Sequence, residues 1–237
     1  MKFIIAMTLA FLAQLSWAAS PFHQHLQSTA QSLSAFYMYQ LTEGDEKHLR
    51  EFTKYRQDAN QALQNCTEPQ KALFLSRWNK LQLDWKFDNV AGVGLNLVRQ
   101  VRLNLREYMT EAYLYSTELP SDLGGVSEKI RDIQLLTAIM SARTMDVASS
   151  HLGSQSLTKH DLQIQSKNLA KIVQQRLARL SKMKLSKEQT STLRKVKTQF
   201  DFVEDSLVDH SKVAPYFLVY RNVIRLGKLL DKQVAGF

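Results

Sequence analysis

One cysteine, four prolines and eight glycines in 237 residues leave this chain few means of stapling or interrupting itself. With Cys66 alone no intramolecular disulfide can form, so stability in an oxidising compartment must come from packing. Cys66 falls on a helical apolar stripe, which marks it as a buried structural residue rather than a reactive thiol. The triplet Asn65-Cys66-Thr67 matches a glycosylation acceptor, but it straddles a helix boundary and is read as chance. No His-Glu-x-x-His and no Gly-x-Ser-x-Gly occurs, which removes the commonest zinc-peptidase and serine-hydrolase signatures. His48, His151, His160 and His210 are isolated, and His23 and His25 lie roughly 200° apart around a helix, so they cannot share an ion unaided. No metal, cofactor or catalytic residue is expected, and the chain is not read as an enzyme. Alternating strand patterns and close internal repeats are also missing, which argues against sheets and solenoids.

The first 18 residues, MKFIIAMTLAFLAQLSWA, are the exception to an otherwise amphipathic chain. Lys2 gives a positive start, Phe3 to Leu15 an apolar run too short to span a bilayer comfortably, and Ser16-Trp17-Ala18 the small residues of a cleavage site. This is the pattern of a secretory signal peptide cleaved after Ala18, and it places the product in a periplasm or outside the cell. No later run approaches a membrane span, and no cysteine stands where a bacterial lipid attachment needs one, so a soluble product is expected. The formal charge of the whole chain is +9. Such a balance favours weak association with anionic surfaces. The basic residues read as spread along the chain without a recognisable nucleic-acid module, so no nucleic-acid partner is expected.

Apolar residues recur at helical spacing from end to end, and the few breaks divide the chain into about eight helices: an all-α fold of antiparallel bundles. The first helix runs from about Phe22 to Leu41. It ends at Thr42-Glu43-Gly44-Asp45, where Gly44 supplies the left-handed conformation and Asp45 caps the second helix. Thr67-Glu68-Pro69-Gln70 is a capping box opening a third helix to about Asn89. A fourth, after Gly92 and Gly94, ends before Pro120. The fifth ends near His151, the sixth spans about Leu157 to Met183, and the seventh opens at the Ser186-Gln189 capping box. The eighth, about Val213 to Val234, is apolar around much of its circumference and is expected in the middle of a bundle. Ser121 to Gly125 is the best candidate for a boundary, giving 19–120 and 121–237 as two four-helix bundles, or one elongated bundle bent at the glycines.

Three groups of residues could bind something. Arg99, Arg102 and Arg106 follow steps of three and four along the fourth helix, so a carboxylate or phosphate could be held by forked hydrogen bonds; the alternative is pairing with acids on a neighbour. Arg56 and Arg143 fall on or beside apolar stripes, where a charge must find a partner or face a cavity. Trp78 and Tyr108, with Trp85, Tyr113 and Tyr115, either line an interhelical pocket or fill the core. Carboxylates such as Glu107, Glu111 and Asp146 are expected to be solvated or paired.

The stretch YMYQLTEGDEKHLREFTKYRQDANQAL, Tyr37 to Leu63, resembles the hairpin of extracytoplasmic four-helix sensor domains of histidine kinases and chemotaxis receptors, in which a Leu-Thr-Gly-Asp-Glu type turn joins two helices. LVRQVRLNLREYM and IMSARTMDVAS are similar to helices of the type IV pilus transducer sensor family; the Arg-Gln-Arg-Met core of that family is missing, and no ligand role is carried over. The chain lacks the membrane helices and output domains of such receptors. The hairpin together with the arginine stripe suggests a sensor-like module that binds a small ligand, anionic where the stripe holds it, or a membrane-protein partner of the envelope. A second reading is a periplasmic chaperone or stress protein, since Leu185 to Gln189 resembles the Leu-Thr-x-x-Gln motif of small helical chaperones. A third is an enzyme using carboxylates that meet across the bundle.

Overall fold

The computed structural model describes residues 20–85, 95–119, 126–149, 164–209 and 215–235, apart from the side chains of 95–99 and 233–235. Eight helices and no strand are found among them: α1 Pro21–Leu41, α2 Glu46–Gln64, α3 Glu68–Asp84, α4 Leu95–Glu118, α5 Val126–Ala148, α6 Ser166–Leu180, α7 Lys187–Val208 and α8 Tyr216–Ala235. The expected leader and the 121–125 boundary lie outside the described residues, as do His151, His160 and His210.

Local chemistry sets most helix starts. The Ser20 side chain accepts from the His23 amide at 3.2 Å, with Pro21 in the first turn of α1. Proline costs nothing there because its missing N–H would be unpaired anyway. Glu43 and Gly44 take positive φ (53° and 101°) to reverse the chain, and Asp45 accepts from the Lys47 amide at 2.8 Å to open α2. In the two capping boxes, Gln70 Oε1 accepts from the Thr67 amide at 3.2 Å, and Gln189 Oε1 from the Ser186 amide at 2.8 Å.

Several ends differ from expectation. Helix α3 stops at Asp84, short of Asn89, because Trp85 turns into the core between Phe36 and Phe52, its ring 5.6 and 4.9 Å from theirs. Helix α6 starts at Ser166, since Gln165 has extended backbone (φ −83°, ψ 129°). Helix α8 is not central: Phe217 is 51% exposed, and Arg221, Arg225 and Lys228 face outward. Its buried apolar residues Val219, Tyr220, Val223, Leu226 and Leu230 form one stripe along the helix rather than encircling it. The most enclosed helices are α1 and α5. Helix α5 buries polar side chains that lower its hydropathy, and two satisfy themselves: Thr137 and Thr144 donate to the Ile133 and Met140 carbonyls at 2.8 and 3.0 Å. Buried hydroxyls paired this way avoid the cost of an unmade hydrogen bond.

The helices pack as two closed rings. Each neighbour pair in α1–α2–α3–α4 is in contact, including α4 back to α1, and the second ring runs α5–α6–α7–α8 and back to α5. The rings share a seam where α1 lies along α5, parallel to it, with His23 against the Arg131 carbonyl and Ser34 against Ser141. Buried apolar residues from both rings form one cluster. Cys66 belongs to it: 5% exposed, it donates to the Ala62 carbonyl at 3.3 Å, and burial pushes its thiol up to about 11. Because only the thiolate reacts, native protein at pH 8 should alkylate with iodoacetamide at least about a hundredfold more slowly than protein in urea. Equal rates, read by mass spectrometry, would contradict this burial.

Candidate functional site

Helix α4 turns Arg102 and Arg106 inward. Arg102 is 8% exposed and Asp146 of α5 is 3% exposed. Arg102 Nη1 donates to the Asp146 carboxylate and main-chain carbonyl, each at 3.2 Å, and Nη2 donates to Gln40 Oε1 and the Ser149 carbonyl, each at 3.0 Å. Its guanidinium also lies 5.1 Å from the centre of the Tyr37 ring. Arg106 Nε donates to the other oxygen of the same carboxylate. One arginine therefore binds carbonyls at the C-terminal end of α5 and a side chain at the end of α1, where helices leave acceptors unmatched and carry partial negative charge. Burial and the Asp146 carboxylate hold the Tyr37 phenol far above its ordinary range, so it stays protonated.

In this network Asp146 of the neighbouring helix pairs with both Arg102 and Arg106, which is the pairing alternative for the stripe. Arg99 has its side chain outside the described set. Arg143 lines, with Arg106, Asp146 and Thr110, a cavity of about 40 Å³. That volume admits about two or three waters rather than a metabolite.

The aromatic group is core as well. Trp78 and Tyr108 are both fully buried, and His25 connects them to every helix of the first ring. Its Nδ1–H donates to the Ala59 carbonyl at 2.8 Å, which fixes the tautomer, and Nε2 then accepts from the Tyr108 hydroxyl at 2.6 Å. Its ring stands edge-on to Trp78 at 5.0 Å. Burial lowers the His25 pKa to about 4, against a smaller raising effect of the Ala59 carbonyl. Among the described residues Arg56 makes no ion pair; it lies 5.0 Å from the Phe52 ring and donates to the Trp85 carbonyl at 3.3 Å, capping α3. Glu111 pairs with Arg77 across α3 and α4. Among the described residues no three His, Cys, Asp or Glu side chains are placed to hold a metal ion.

An accessible site of mixed polar and apolar lining lies elsewhere, at the junction of the two rings. A cleft of about 370 Å³ opens between α1, α2, α5 and α8. Gln31 and Ser34 of α1 and Thr137 and Ser141 of α5 line it where the two helices meet, with Tyr55 of α2 and Asp231 of α8 completing the walls. Its charges balance: Lys54 pairs with Asp58 at 2.6 Å, and Lys228 and Asp231 both reach the rim. Gln134 is fixed by donating to Asp231 at 2.7 Å and to the Gly227 carbonyl at 3.2 Å. Burial, followed by the charges of Glu51, Asp58 and Asp231, raises the Tyr55 pKa, so its hydroxyl remains a donor.

Gly227 is the informative residue on this wall. It sits inside α8 with ordinary helical backbone, and a Cβ there would meet nothing within 4 Å. Glycine in a helix interior costs about 1 kcal/mol relative to alanine. Neither backbone geometry nor a close neighbour requires it, and what its missing side chain leaves is open cleft. This site is not legible in the sequence because its walls come from four helices. The lone glycine within a helical pattern and the polar Gln134, Thr137 and Ser141 on the α5 stripe were the available signals.

Comparison with protein-family models, curated proteins and solved structures found no match to this chain.

Proposed function

We propose that this chain is a sensor-like helical-bundle binding protein of the periplasm or extracellular space, whose cleft between the rings takes a small polar molecule of no net charge, such as an amino-acid zwitterion or a neutral sugar. The observation that carries this reading is Gly227, a helix-interior glycine that no local geometry requires and that keeps one wall of a 370 Å³ cleft open. The volume lies within the range of pockets that enclose small metabolites. The hydroxyl and amide groups of the lining, with balanced charge and the apolar Ala138, Val223 and Ile224 beside them, favour an uncharged or zwitterionic hydrogen-bonding ligand over the anion suggested by the arginine stripe. Delivery across a membrane rests on Lys2, the short apolar run and Ser16-Trp17-Ala18. Among the described residues no helix is long and apolar enough to cross a membrane, and the sensor-like hairpin of Tyr37 to Leu63 fits a recognition module.

Thermal melting against a panel of amino acids and neutral sugars tests the reading. A true ligand at a hundred times its Kd should stabilise the wild type by about 2.7 kcal/mol. Gly227→Phe should fill the cleft and abolish that shift, whereas Gly227→Ala should raise the unliganded stability by about 0.5–1 kcal/mol. A panel in which no member stabilises the wild type more than Gly227→Phe would overturn the assignment.

A further inference from the structure

The charge of this chain is unevenly placed. Residues 1–163 contain sixteen Lys and Arg and sixteen Asp and Glu, whereas 164–237 contain fifteen against six, so the whole formal excess of +9 falls on the part that forms α6, α7 and α8. Basic residues occur throughout; it is the matching acids that thin out.

On the outer side of α7 and α8 this excess is organised. An open groove of about 510 Å³ is lined by Arg194, Lys195 and Thr198 of α7 and Arg225 of α8, with Ser191 and Gln199 beside them. Arg194, Lys195 and Arg225 have no carboxylate partner among the described residues. The nearby acids Asp201 and Glu204 of α7 turn instead toward α6, where Gln174 donates to both at 3.1 and 2.7 Å. Exposed aromatic side chains extend the same surface. Phe202, 65% exposed, follows Lys195 by seven positions and Thr198 by four, which places it on their face of α7. Phe217, 51% exposed, stands four positions before Arg221, which is itself four before Arg225. Unpaired cations with exposed aromatic rings on adjoining helix faces match a membrane interface, where rings enter the headgroup boundary and Lys and Arg meet phosphates.

We propose that the α7–α8 face docks on an anionic phospholipid surface, with Arg194, Lys195 and Arg225 taking headgroup phosphates and Phe202 and Phe217 inserting beside them. Guanidinium forks suit phosphate oxygens, and the open groove suits a surface that approaches from outside. This site is distinct from the interhelical cleft and does not depend on its ligand.

Sedimentation of the purified protein with phosphatidylcholine vesicles, with and without roughly a third phosphatidylglycerol, tests this directly. Binding is expected only to the anionic vesicles. The triple variant Arg194→Glu, Lys195→Glu, Arg225→Glu should lower partition at least about 100-fold, and Phe202→Ser with Phe217→Ser should lower it about tenfold. The charge-matched control Lys47→Glu, Arg50→Glu, Lys80→Glu, on exposed positions of the first ring, should bind as the wild type does. Circular dichroism checks that each variant is folded. Equal loss in both triple variants would show a net-charge effect and overturn the site. Displacement by inorganic phosphate beyond that by chloride of equal ionic strength would assign the groove to the free ion. Displacement by poly-glutamate with no effect of the phenylalanine variants would assign it to an acidic protein. Either result overturns membrane docking.

Discussion

Replacing Asp146 with alanine should destabilise the protein by about 3–5 kcal/mol, the largest effect expected of any charge removal in this chain. Asp146 is 3% exposed and its carboxylate holds both Arg102 and Arg106, so its loss leaves the buried Arg102 guanidinium facing the neutral Gln40 and main-chain acceptors. In a domain of this size the melting temperature should fall by roughly 10 °C. The cost is that of stranding charge rather than the net value of the ion pairs. Replacing the group together, Arg102→Met, Arg106→Met and Asp146→Leu, should therefore recover much of the loss. Recovery should be incomplete, because Arg102 also donates to the Asp146 and Ser149 carbonyls and to Gln40, and methionine offers them nothing. Urea unfolding followed by circular dichroism measures both. A single variant within about 1 kcal/mol of wild type would mean that the arginines find water, and that the site is more open than its geometry shows.

Acid should weaken the first ring through His25. In the unfolded chain this histidine titrates near 6.5, and in the fold near 4, so between these values the unfolded state binds the extra proton. Stability from the neutral imidazole is thus complete above about pH 6.5 and is lost as the pH falls toward 4, by about 3 kcal/mol in total. His23, whose pKa is also lowered by burial, adds in the same direction. Carboxylates contribute their own acid dependence, so the decisive quantity is a difference between proteins. His25→Gln keeps an amide that can donate to the Ala59 carbonyl and accept from Tyr108, but it cannot titrate. Its stability should fall less steeply than that of wild type between pH 7 and pH 4.5, and parallel slopes would remove His25 from the account. Because His25 touches α2, α3 and α4 from α1, its protonation loosens the ring as a unit.

The devices that were legible in the sequence act over a few residues. Asp45, Gly44, Thr67 with Gln70, and Ser186 with Gln189 satisfy backbone groups one helical turn away, so spacing alone reveals them. The arginine stripe was legible as a stripe, but its role depended on Asp146, forty-four residues after Arg102. The same limit explains Trp85, which ends α3 because Phe36 and Phe52 receive its ring, and the misplacing of α8 at the centre of a bundle. Helix α8 is no more apolar on average than α5, whose buried Thr137 and Thr144 donate to carbonyls of their own helix.

By itself, then, the sequence determined the all-α class, the order and approximate ends of most helices, the absence of internal disulfides and the site of the first hairpin turn. Each follows from helical periodicity and from hydrogen bonds closed within about one turn. Only the tertiary structure decided that the helices close into two rings sharing the α1–α5 seam, that Arg102 and Arg106 serve Asp146, and that Gly227 opens a cleft. Those outcomes depend on which distant surfaces meet. Packing selects among partners that local pattern leaves equivalent, and a buried charge is useful or costly only according to what packing brings beside it.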